Sequence, residues 1–100
     1  MTPAELLTKA RALLEKPEAW RQGLPSETNP GLCCADSMFV ACGFAPGVKI
    51  TDPEWAVLDE ARNRFRLAVG TDCIPVFNDA PETTHAMVLA AFDLSIEAAS

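Results

Sequence analysis

Asn29-Pro30-Gly31-Leu32-Cys33-Cys34-Ala35-Asp36-Ser37-Met38-Phe39-Val40-Ala41-Cys42-Gly43 decides how this 100-residue chain folds. The stretch opens with turn residues, runs through an apolar segment and closes on a glycine. Asp36 is its only charge. A helix from about Leu32 to Cys42 therefore has no broad polar face to offer water, and it is expected to lie at the centre with other helices around it. Gly43 is placed to end it in a left-handed cap. Met38 and Phe39 are then expected in or beside the core.

Outward from this helix, the flanking sequence reads as more helix. Thr2-Pro3-Ala4-Glu5 is a capping box, followed by Leu6, Leu7, Ala10, Leu13 and Leu14 at helical spacing, and Lys16-Pro17 ends the run. Residues 17–23 can add one turn anchored by Trp20, and residues 24–31 read as loop. Thr51-Asp52-Pro53-Glu54 repeats the capping device. Trp55, Leu58, Ala61, Phe65 and Ala68 form the buried stripe of that helix, and Gly70 stops it. On its other face, Asp59 with Arg62 and Glu60 with Arg64 have ion-pair spacing.

Cys73-Ile74-Pro75-Val76-Phe77 is β-branched and aromatic but contains a proline, which predicts a short extended segment. Asn78 and Asp79 then read as the start of the last helix, with Asp79 and Glu82 at capping-box spacing. Thr84, Met87, Val88, Ala91, Leu94 and Ala98 are its expected inner stripe. The predicted fold is mainly α: one small domain of about four helices spanning residues 1–100, with one short extended segment near 73–77.

Composition narrows the function classes. The apolar fraction is 49% and the charged fraction 22%, as in globular proteins. No run approaches the roughly 18 residues of a membrane span, and the first residues lack a signal-peptide pattern. A cytoplasmic chain with reduced thiols is the expectation. A net charge of −6 disfavours direct nucleic-acid binding. All eight basic residues lie at or before Arg66. Beyond it stand Asp72, Asp79, Glu82, Asp93 and Glu97 with no cation among them.

Trp20-Arg21-Gln22-Gly23, Gly31-Leu32-Cys33-Cys34-Ala35 and Phe77-Asn78-Asp79-Ala80-Pro81-Glu82-Thr83 together resemble an uncharacterised family of small proteins from actinobacteria and their phages. That family's pattern is a tryptophan and glycine, a cysteine pair opening a helix, and an Asn-Asp-x-Pro-x-Thr segment. The likeness runs loosely over residues 4–98. Ser37-Met38-Phe39 stands where the family has Gly-Ala-Leu, and Phe77 where it commonly has tryptophan. The resemblance implies a stable small fold and no known activity. It also points to a phage or mobile-element setting, where short acidic inhibitors of host proteins are common.

Among chemical candidates, thiol catalysis is the sharpest. Cys33 or Cys34 at a helix N-terminus could be activated as thiolate, with His85 as base and Asn78 or Asp79 to orient it. Against this, a cysteine pair in an apolar helix reads first as packing, and Asn78-Asp79 reads first as a helix cap. No Cys-x-x-Cys or paired-histidine spacing supports a metal, and no glycine-rich loop supports a phosphate cofactor. Cys34 and Cys42 are too far apart along a helix for a disulfide, whereas a bridge from Cys33 or Cys34 to Cys73 stays open.

The favoured function is a non-enzymatic protein-interaction or regulatory protein, with a phage-encoded inhibitor of a host protein as one form it could take. Glu82, Asp93 and Glu97 would meet a partner with a basic surface. Asp93 and Glu97 lie i to i+4, and Arg62, Arg64 and Arg66 are their candidate internal cations. The alternative is a small cysteine-dependent enzyme using Cys33 or Cys34 with His85.

Overall fold

Two helices begin as their local sequence dictates. Thr2 Oγ1 accepts the Glu5 N–H while Glu5 reaches back to the Thr2 N–H, and Thr51 and Glu54 repeat the exchange. In this computed structural model, which describes residues 1–100, these boxes open α1 (Pro3–Leu13) and α3 (Asp52–Val69). Gly70 closes α3 at a φ of 77°, where a side chain would be strained. A short 3₁₀ turn, Pro17–Ala19, is all that forms after α1.

The helix expected at the centre, α2, spans Cys34–Ala41 with Cys33 as its N-cap, but it is not surrounded: Val40 is 42% exposed, and it is α1 that packs on α2, α3 and the last helix. Its exit is a Schellman turn: the Phe44 N–H donates to the Phe39 carbonyl and the Gly43 N–H to the Val40 carbonyl. Gly43 supplies the required positive φ of 100°. The turn folds Phe44 back against Phe39, with ring centroids 5.9 Å apart.

The segment expected to be extended at 73–77 is instead helical: α4 covers Ile74–Asp79. Pro75 sits in its first turn, where a missing N–H costs nothing, so proline here starts a helix. Ile74 and Asn78, one turn apart, are its buried positions. The chain thus has five α-helices where about four were expected.

The last helix, α5, runs His85–Ala99 and begins later than expected. Thr84 Oγ1 accepts from the Met87 N–H and is its N-cap, so Asn78-Asp79 does not cap this helix and Asp79 and Glu82 form no box. The inner face is Val88, Ala91, Phe92 and Ser95. Met87 and Leu94 point outward.

One core joins these elements. Leu6, Leu7, Ala10 and Leu14 from α1 and its end meet Cys34 and Met38, Leu58, Ala61 and Phe65, Ile74, and Val88 and Phe92. α3 packs along α5, and α1 packs on both α2 and α5. Phe65 is the aromatic hub, 4.9 Å from Phe92 and 5.9 Å from Phe77 between ring centroids. Met38 is fully buried and Phe39 half-buried, as expected, while Trp55 is 40% exposed. No helix is long and apolar enough to cross a membrane.

Candidate functional site

The three sequence segments singled out above converge on Asn78. Its side chain is fully buried at the end of α4. Oδ1 accepts from the Trp20 indole N–H at 2.8 Å and from the Cys34 backbone N–H at 2.9 Å. Nδ2 donates to the Arg21 carbonyl and to Asp79 Oδ1, each at 2.9 Å. Both lone pairs and both protons of the amide are therefore used. The Cys34 N–H is one of the free donors at the start of α2, so Asn78 caps a helix 44 residues away.

Neighbouring groups tighten the same knot. Gln22 Nε2 donates to the carbonyls of Asn78 and Ala80, and the Gly23 N–H donates to Asp79 Oδ1 at 2.9 Å. These bonds hold the Asp79 carboxyl below its ordinary range, the Gly23 N–H first and the Asn78 amide second. The Arg21 N–H and Leu32 N–H bond across to Leu32 and Ala19 carbonyls. Gly31 is required at that crossing, because a Cβ there would come within 2.8 Å of the Ala19 carbonyl oxygen. Thr83 Oγ1 donates to the Phe77 carbonyl.

Arg21 is the charged member of this region and is buried. It donates to the Gly23 carbonyl at 2.6 Å and to Asp36 Oδ2 at 2.7 Å, while its Nε has no partner. Arg21, Cys33, Asp36, Pro75 and Asp79 line a cleft of about 380 Å³.

Cys33, Cys34 and Cys42 sit in environments that oppose ionisation. Burial pushes Cys34 up to about 12. Burial also raises Cys33, despite the Asp36 N–H its sulfur accepts at 3.4 Å, and raises Cys42. Cys73 is exposed, and all four cysteines are free. His85 Nε2 lies 2.6 Å from the Leu14 carbonyl, with its ring 6.1 Å from that of Trp20. No hydrogen bond joins His85 to either Cys33 or Cys34, and Asn78 is fully engaged elsewhere. No three His, Cys, Asp or Glu side chains are grouped so as to hold a metal ion.

The acidic residues of the last third are dispersed. Asp93 is answered from within the chain, but by Arg11 of α1 at 2.7 Å and not by the Arg62, Arg64 and Arg66 cluster. Those arginines stay on α3, where Arg64 pairs with Glu60 at 2.7 Å and Arg62 with Asp59 at 3.8 Å. Glu82 and Glu97 are exposed and make no ion pair.

An aromatic face further along α2, sharing Asp36 with the Arg21 cleft, was not foreseen. Phe39 has Phe44 on one edge and Trp55 on another, 5.9 and 6.0 Å between centroids, and the Arg62 guanidinium over its ring at 5.7 Å. Phe44 is 49% exposed and Val40 42%. The signal in the sequence was the density of apolar residues around Phe39-Val40 and Phe44, which reads equally well as core.

Among known proteins, the model of a family of unknown function (DUF6197) matches residues 1–98. No curated protein and no solved structure matches the chain.

Proposed function

The chain belongs to this family of unknown function, DUF6197, so membership supplies no activity, and we propose from the geometry that it is a non-enzymatic protein-interaction or regulatory module. The observation that carries this reading is the aromatic face. Val40, Phe44 and Trp55 are each about half exposed around Phe39, although the core beneath them is already complete. An apolar cluster of this kind on a small protein costs solvation unless a partner covers it. The negative charge, and Glu82 and Glu97 in particular, would steer the chain toward a basic partner. Asp93 contributes less to that field because Arg11 offsets it. Inhibition of a host protein, as a phage-encoded inhibitor, is the form of this role that the sequence resemblance suggests.

The thiol-enzyme alternative has less support. Burial raises both of its nucleophile candidates, against thiolate formation, and its histidine is engaged with Leu14.

Affinity capture with matched baits tests the proposal. Wild type, Phe44→Ser and a Cys33→Ser, His85→Ala variant are compared, each first checked for folding by circular dichroism. A partner held by wild type and by the Cys33, His85 variant but lost on Phe44→Ser is the expected result. A partner or turnover lost only with Cys33 and His85 contradicts it.

A further inference from the structure

Resting on that reading, we infer that the groove beside Phe39 takes a short amphipathic segment of a partner protein, with one basic side chain of that segment seated at Asp36. The groove holds about 470 Å³ and is lined by Leu32, Phe39, Val40 and Phe44, with Asp36 as its only polar member. Ligand-holding clefts span roughly 300 to 1,000 Å³. Asp36 and Val40 are one turn apart on α2, Leu32 stands just before the helix, and the Schellman turn brings Phe44 in at the far end. A hydrophobic groove of this kind is where an amphipathic segment lays its apolar face.

The charge of that segment follows from Asp36. Its Oδ2 is held by Arg21 at 2.7 Å, and its side chain is 47% exposed. Arg21 offsets part of its charge, as Arg11 does for Asp93, but the exposed side of the carboxylate at the polar end of an apolar groove still favours a lysine or arginine over an acidic residue. The chain's net charge of −6 acts in the same direction over longer range. Arg62 lies over the Phe39 ring but lines the neighbouring cleft, and Asp59 offsets it.

A displayed library of random 16-residue peptides, panned on the folded chain, tests this. Binders should share apolar anchors and at least one Lys or Arg. Their affinity should fall tenfold or more on Val40→Gln and on Phe44→Ser, and stay unchanged on Leu94→Gln, an exposed position on α5. Replacing the peptide's basic residue by Gln should weaken binding to wild type several-fold and have little effect on Asp36→Asn. Asp36→Asn counts only if it keeps the wild-type circular dichroism and still binds the parent peptide through Val40, which separates a folding defect from lost recognition of the basic residue.

Binders that need no basic residue, or a library that yields none dependent on Val40, overturn the inference. A concentration-dependent dimer in sedimentation that Val40→Gln dissolves also overturns it, in favour of a second copy in the groove. If binders ignore Val40→Gln but are lost on Glu82→Lys with Glu97→Lys, the groove is wrong while the interaction reading stands.

Discussion

Asn78 Oδ1 lies 2.9 Å from the backbone N–H of Cys34, so the end of α4 closes the start of α2. The same oxygen also takes the Trp20 indole proton, and the two bonds tie three distant segments together.

Replacing Asn78 with Ala leaves the Trp20 N–H, the Cys34 N–H and the Arg21 carbonyl without this partner. Each buried unsatisfied group costs about 1 to 3 kcal/mol, so a total loss of at least roughly 3 kcal/mol is expected in urea unfolding. A loss under about 1 kcal/mol would show that water replaces the amide readily.

Phe65→Ala should cost about 3 to 5 kcal/mol, since that ring is fully buried. Phe39→Ala should cost less, about 1 to 2 kcal/mol, because its ring is only half-buried. Equal effects in thermal melts would place Phe39 in the core and remove the exposed face.

Native thiol counting with a small disulfide reagent near pH 8 should give one prompt thiol, Cys73, the only exposed cysteine. Cys34, pushed up to about 12, should label only on unfolding. Prompt native labelling of Cys33 or Cys34 would restore the thiol-enzyme alternative.

Asp79 makes stability depend on acid. Its folded carboxyl titrates below the ordinary 3.8 because the Gly23 N–H and then the Asn78 amide hold the charged form. A depressed folded value adds stability that is complete above the unfolded value and disappears as pH falls through the folded one. Asp79→Asn should therefore flatten the stability curve below about pH 4 relative to wild type. The same slope in both proteins would mean that this carboxylate is not held.

What was legible in the sequence was local. The Thr2–Glu5 and Thr51–Glu54 boxes and the Gly43 and Gly70 stops are written within four or five residues, and they formed as read. Asn78 was misread because its partners lie 44 to 58 residues away, while its immediate neighbours imitate a helix cap. Pro75 misled for a related reason: proline excludes a central strand and an inner helical turn, but it suits a first turn. The aromatic face was hidden because apolar spacing does not distinguish a stripe facing the core from one facing a partner. Trp55, Met87 and Leu94 all fit the periodicity and all stand outside the core.

Fluorine NMR of the chain carrying 5-fluorotryptophan tests the interaction face most directly, because its two tryptophans sit at the two competing sites. Trp20 reports the Asn78 knot beside the Cys33 cleft, and Trp55 reports the Phe39 face. Titration with a Val40-dependent peptide, with resonances assigned through Trp55→Phe, should shift the Trp55 signal to saturation and leave Trp20 in place. Saturable binding that moves Trp20 alone would put the functional surface at the cleft of Arg21, Cys33 and Asp79 and contradict the interaction face.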